Sequence, residues 1–263
     1  MAEVGAWLAI GAATGFFAGL LGIGGGTILV SSLALMFAAQ GIAPAHVMHM
    51  AIGTSLAAIV AGSWASFRTH HRHGAVDWDV VRAMVPGVLA GALAGGAASR
   101  WLSTGFLKTF FLVFLVVVTA QMVFPWRPKP GRRLPGRGAL GAMGLFTGAS
   151  SALFGGGAAA VGVPFLTWCG MAMHHAIGTV AAVGFPLAIA GAIGYAIAGW
   201  SAEGLPRWSA GFVYVPAFVV ISAASIVVAP FGARLAHRLK GPTLRHIFAI
   251  FLLAIGAKVA ISV

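Results

Sequence analysis

The sequence predicts an all-α integral membrane protein with about eight hydrophobic segments in two homologous halves. Composition is the first observation behind this. Of 263 residues, 60% are hydrophobic and 8% charged, with a mean hydropathy of +0.98. A water-soluble domain could not cover its surface with so little charge. The second observation is an internal repeat. Gly11, Thr14, Gly15, Gly22, Gly24, Val30 and Leu33 return as Gly144, Thr147, Gly148, Gly155, Gly157, Val163 and Leu166, at a constant shift of 133. The third is the length of the apolar runs, most of which match the thickness of a bilayer.

The repeat continues with drift. Ala51-Ile52-Gly53-Thr54 returns as Ala176-Ile177-Gly178-Thr179, Val85-Pro86 as Val215-Pro216, and Leu107-Lys108 as Leu244-Arg245. Drift of this kind belongs in loops, where insertions cost little. A period near half the chain indicates duplication of a whole domain rather than a solenoid. The expected division is a first membrane repeat at 1–126, a basic linker at 127–137 and a second repeat at 138–263.

The apolar runs cover residues 5–39, 47–67, 79–98, 105–125, 138–172, 176–200, 208–231 and 244–262. Six have ordinary spanning length. The first and fifth are too long, since 35 helical residues would measure about 52 Å against a hydrocarbon core of about 30 Å. Each carries a glycine cluster at its middle, Gly22-Ile23-Gly24-Gly25-Gly26 and Gly155-Gly156-Gly157. Clustered glycine is a poor helix former and permits positive φ, so both segments are expected to be broken or re-entrant there.

Charge orients the spans. The linker carries Arg127, Lys129, Arg132, Arg133 and Arg137 and is assigned to the cytoplasm by the positive-inside rule. The 68–82 loop, with Arg68, Arg72 and Arg82, then falls inside and Arg100 outside. A single crossing by segment five would put Arg234, Arg238 and Lys240 outside, against the rule. A hairpin in that segment returns them to the cytoplasm. This favours inverted halves over a parallel four-plus-four arrangement, and inverted repeats commonly place a site near the midplane on discontinuous helices.

The candidate site follows from those breaks. A helix interrupted inside a membrane leaves backbone N–H groups that must face protein, water or a ligand. Its half-helix N-terminus favours an anion. The candidate binding residues are therefore Gly22, Gly24, Gly25, Gly26, Thr27 and Ser31 in the first half, with Ser151, Gly155, Gly156 and Gly157 in the second. Close helix packing is the other reading of such glycines. His49 and His174 open the helices that follow the breaks, where each could meet an anion, carry a proton or sit hydrated at the interface. Thr54, Ser55 and Thr179 lie one turn deeper, placed either to back-bond to the helix or to bind a substrate oxygen.

Several chemistries are excluded. The acidic residues are Glu3, Asp77, Asp79 and Glu203, all in the N-terminus or loops. Cation transport and carboxylate-driven pumping need an acid within the membrane. Paired-carboxylate catalysis and a carboxylate metal site fail for the same lack. Cys169 is the lone cysteine, so no intrachain disulfide or cysteine metal site is expected. The opening Met1-Ala2-Glu3-Val4 has no basic region, so a cleaved signal is not expected. Lys258, in the last span, is read as snorkelling to the interface, and His70-His71-Arg72-His73 as a hydrated basic loop. The net charge of +12 is read as contact with anionic lipid rather than nucleic acid.

The glycine runs carry a family resemblance. Gly15-Phe16-Phe17-Ala18-Gly19-Leu20-Leu21-Gly22-Ile23-Gly24-Gly25-Gly26, followed by Ala51-Ile52-Gly53-Thr54-Ser55 and repeated in a second half, resembles the signature of the TauE/SafE membrane anion exporters. The chain departs from it in having Val30-Ser31 where that family often has Val-Pro, although Val163-Pro164 keeps the pair. Ala158 and Ala159 stand opposite Gly25 and Gly26, and Val180 opposite Ser55. The first copy is therefore expected to be the more sensitive to substitution. The resemblance implies a multi-pass protein of the bacterial inner membrane that moves sulfite, a sulfonate or a related organosulfur anion. An alternating-access secondary transporter without cofactor or metal is the expectation, with proton coupling through His49 or His174 open. The alternative is an anion channel of the same architecture. No enzymatic role is expected, and no ATP-binding loop occurs in the sequence.

Overall fold

The computed structural model describes residues 2–21, 25–123, 133–236, 253–254 and 256–262. Gly22 and Gly24, most of the basic linker and residues 237–252 lie outside the described residues. The chain forms helices α1 (Ala2–Leu21), α2 (Gly26–Ala39), α3 (Pro44–Arg72), α4 (Trp78–Ala98), α5 (Thr104–Val123), α6 (Arg137–Phe154), α7 (Ala159–Trp168), α8 (Met173–Ala198) and α9 (Val215–Ala236). A further helical stretch at 256–262 meets α5 through Gly256 and Leu115. Helix is almost the whole fold. Among the described residues the exception is a small antiparallel pair, β1 (Ser209–Ala210) with β2 (Val213–Tyr214), where the sequence places the start of an apolar helix.

Among the described residues, four helices are long and apolar enough to cross a bilayer: Pro44–Arg72, Trp78–Trp101, Thr104–Gln121 and Met173–Ala198. The protein is thus a multi-pass membrane protein. Both overlong segments are interrupted where glycines cluster. Gly155 caps α6 with φ +69°, a left-handed conformation that favours glycine. Elsewhere the helix ends follow local chemistry. Pro44 sits in the first turn of α3, where its missing N–H costs nothing. The Asp77 carboxylate accepts from the N–H groups of Asp79 and Val80, at 3.1 Å each, and starts α4.

Contacts between helices set their directions. Along α3, Gly53 meets Tyr195, Leu56 meets Gly191 and Trp64 meets Phe185, so α3 and α8 run antiparallel. Thr54 contacts Tyr214 and Ala58 contacts Ser222, so α3 and α9 run parallel. Gly11 lies on Ile221 and Gly15 on Ser225, placing α1 parallel to α9. Gly144 lies on Met84 and Gly148 on Val88, placing α6 parallel to α4. These glycines let the helix backbones touch, as small residues do in membrane helix contacts. Ser55 reaches Gly26 while α2 ends beside the start of α3, so α2 runs back along α3. α1 and α2 therefore form a hairpin with its open ends together, Trp7 lying 5.7 Å from Phe37. α6 and α7 form the second hairpin, with Gly162 of α7 against Val180 near the start of α8.

The residue stretches of the two halves interleave rather than sit side by side. α1 lies along α9, and α6 along α4. Gly53 faces the Phe212 carbonyl, and Gly178 faces that of Ala75. Thr54 Oγ1 accepts from Tyr214 N–H and Thr179 Oγ1 from Asp77 N–H, both at 2.9 Å. Met84 and Ile221, Val88 and Ser225, and Ala75 and Phe212 each differ by 137 in number. The Val85-Pro86 and Val215-Pro216 echo does not share that offset. Pro86 lies inside α4, whereas Pro216 is in the first turn of α9.

The helix directions define two ends. The 73–77 and 169–172 connections, the end of α5 and the start of α6 lie at one, called here the linker end. The 40–43, 99–103 and 199–214 connections lie at the other, the hairpin end.

Candidate functional site

A cavity of about 430 Å³ begins at the two glycine breaks and runs toward the linker end. Gly25 and Gly157, Ala158 and Ala159 line its inner part, so the starts of α2 and α7 both face it. Neither helix start has a side-chain cap. The first-turn N–H groups of an α-helix have no partner within the helix, and among the described residues no side chain takes them. α3 supplies the polar wall through Ser63, Ser66, Thr69 and His70, and Thr14 and Ser225 complete it. Thr14 is 4% exposed and its hydroxyl has no hydrogen-bond partner among the described residues. A buried donor without a partner is costly. No acidic side chain lines the cavity.

Behind the cavity the two breaks touch. A Cβ on Gly26 would stand 2.8 Å from Gly156 Cα and 2.9 Å from Gly155 O. The Ser55 hydroxyl donates to Gly155 O at 3.0 Å, with Gly26 O at 3.4 Å as a weaker branch. One side chain of α3 thus ties both breaks together. Gly155, tight against Val30 and Ile52 and held at positive φ, is the most constrained of the described break residues. A Cβ on Gly157 would meet nothing within 4 Å. The greater constraint is therefore not confined to the first copy.

The other expected site residues fall elsewhere. Of the candidates described, Gly25 and Gly157 line the cavity itself. Thr27 and Ser31 are buried in α2, and the Ser31 hydroxyl donates back to Thr27 O at 2.9 Å. Ser151 is fully buried with an unpartnered hydroxyl, outside the lining. Thr54 and Thr179 accept backbone N–H groups at the starts of α9 and α4. His49 is buried. Its Nε2 lies 3.0 Å from both Ser99 O and Leu102 O, and its ring lies tilted against that of Phe212, centroids 4.9 Å apart. His174 is exposed at the first turn of α8, its ring 4.2 Å from that of His175. The two histidines hold matching sequence positions in unlike surroundings.

His70 was missed because His70-His71-Arg72-His73 reads as a loop. In the structure α3 continues through Arg72, and His70 turns toward the cavity while His71, Arg72 and His73 are exposed. A signal was present in the spacing. Ser63, Ser66 and His70 recur three and four residues apart after Gly62, which puts them on one helical face.

Sequence comparison supplies the family. The family model described as "Sulfite exporter TauE/SafE" matches residues 7–259. The chain belongs to the TauE/SafE family. A "Probable membrane transporter protein" of Haemophilus influenzae is 31% identical over 251 residues, covering 94% of each chain. The Bacillus subtilis protein YdhB, also named a probable membrane transporter, is 23% identical over 71% of this chain and 76% of its own. YunE of the same organism, named likewise, matches at 32% over 44% of this chain and 40% of its own. No solved structure gives a significant match. Family and relatives make this a membrane transporter, a role that requires no catalysis.

Proposed function

We propose that the protein is a secondary transporter that moves a small anion, sulfite, a sulfonate or a related organosulfur anion, across the bacterial inner membrane by alternating access. One observation carries the reading: a cavity without acidic lining holds two uncapped helix starts and an unpartnered buried threonine hydroxyl. Helix N-termini favour negative charge. Desolvated N–H and O–H donors suit a small oxyanion, whereas a cation would find no carboxylate there. The family description, a sulfite exporter, supports the sulfur chemistry.

Alternating access draws support from the contrast between the ends. The cavity reaches the linker end, while the hairpin end is packed shut around Tyr195, Phe212 and the Trp7, Phe37 and Tyr214 rings. Such an arrangement favours a carrier over a continuous pore. The halves are read as inverted repeats, 1–126 and 138–263, because their corresponding helices α3 and α8 run antiparallel while each packs parallel to the fourth helix of the other half. The two hairpins are then re-entrant, with their glycine breaks near the midplane. Arg68, Arg72, Arg82, Arg133 and Arg137 lie toward the linker end, and by the positive-inside rule this supports reading that end as cytoplasmic.

Purified protein in liposomes, tested by counterflow with sulfite, sulfate, thiosulfate, taurine and sulfoacetate, checks the proposal. Accumulation of at least one of these anions without measurable cation flux is expected. Cation flux with none of the anions carried would refute it.

A further inference from the structure

Among the described residues, His70 is the single ionisable side chain lining the cavity. The geometry points to His70 as the group that reads the anion's charge at the linker-end mouth: its imidazolium form holds the anion and its neutral form releases it. This inference rests on the anion reading of the same cavity. The remaining polar wall, Thr14, Ser63, Ser66, Thr69 and Ser225, offers neutral hydroxyls. Two of them are already engaged, Thr69 donating to Ala65 O and Ser225 to Gly11 O, both at 2.9 Å. Neutral donors orient an oxyanion but supply no net charge. Alanine, isoleucine, leucine, valine and proline side chains make up most of the other walls, and low-dielectric walls strengthen the field of a lone charge.

Other ionisable groups do not share this position. On α3, Arg68, His71 and Arg72 are exposed, as is His73 at the helix C-cap, its Nδ1 2.8 Å from Thr69 O. At the start of α4, Asp77 caps the helix, and the exposed Asp79 and Arg82 pair with each other at 3.5 Å. His174 and His175 sit in the first turn of α8, outside the lining. α2, α7 and the described side chains of α9 carry no ionisable group, and Glu3 of α1 is at the hairpin end. Histidine is the residue type whose charge changes between about pH 5 and 8.

Equilibrium binding of methanesulfonate to the detergent-solubilised full chain tests this, because that probe keeps a single negative charge throughout the range. Wild-type affinity should fall by roughly tenfold from pH 5 to pH 8, the effect of one nearby charge partly screened by water. His70→Gln should bind with a flat profile near the high-pH wild-type level, and His70→Lys should keep the tighter binding at pH 8. An unchanged pH slope in His70→Gln, or equal affinities of His70→Lys and His70→Gln at pH 8, would overturn the inference alone. Absence of binding by methanesulfonate, thiosulfate and sulfite at every pH would overturn the anion reading and this inference together.

Discussion

The two ends of the α3 and α8 pair start from corresponding sequence and finish in opposite states. At the linker end, Gly62, Ser63, Ser66, Thr69 and His70 of α3 face a cavity. The α8 residues 125 positions later, Leu187, Ala188, Gly191, Gly194 and Tyr195, are all buried at the hairpin end. Gly191 is met by Leu56 and by the Gly96 backbone, Gly194 is met by Leu93 and Gly96, and Tyr195 lies on Gly53. Small residues allow the second face to close tightly, while hydroxyls and an imidazole make the first tolerant of water. Closure nonetheless leaves a cost, because the Tyr195 and Ser99 hydroxyls are buried without a hydrogen bond of good geometry. Under the proposed alternating access, those unmet polar groups would favour reopening of this end.

Steric substitution should break the contrast most strongly. A Cβ on Gly194 would stand 2.7 Å from Leu93 O and 2.9 Å from Gly96 Cα, whereas one on Gly62 would meet nothing within 4 Å. Gly194→Val is expected to destabilise the protein by about 1–3 kcal/mol or force the hairpin end open. Gly62→Val should be neutral or stabilising by roughly a few tenths of a kcal/mol, since valine is a better helix former than glycine and meets no neighbour there. Thermal melting of both variants in one detergent, with thiol labelling of the hairpin end, measures the difference. Equal melting shifts would show that the tight face is not what holds the closed end.

Accessibility sharpens the comparison further. With Cys169→Ser as background, Ser63→Cys and Ala188→Cys place a thiol at corresponding positions of the two ends. An impermeant maleimide should label the first at least about tenfold faster if the alternative state holds no more than about 10% of the population. A transported anion should narrow that ratio. Matching rates without substrate would mean that the two ends are equally open at rest.

The smallest effect is expected at the junction of the breaks. Ser55→Ala removes the hydroxyl that donates to Gly155 O, at a cost of about 1 kcal/mol. Val180 shows that α8 manages without a hydroxyl at the matching position. Melting temperature should fall by a few degrees with the fold retained, and anion counterflow should slow if the tie between the breaks positions the helix starts. Unaltered melting and unaltered flux together would make the Ser55 contact incidental.

What could be read from residues alone were the properties that depend on local composition and spacing. Scarce charge implied the membrane, because solvation is set by side-chain chemistry whatever the partners. Glycine clusters in overlong segments marked both helix breaks, since helix propensity and reach act within a few turns. Missing acids pointed toward an anion. Only the tertiary structure decided which side chains are available. Thr54 and Thr179 resemble ligand hydroxyls until backbone N–H groups 160 and 102 residues away occupy them. His49 and His174 match in sequence, yet one is locked onto Ser99 O and Leu102 O and the other is exposed. His70 gains its place from walls supplied by α1, α8 and α9. Burial and hydrogen-bond partnership are properties of distant segments brought together, and a linear pattern does not specify which surface of a repeat its counterpart will cover.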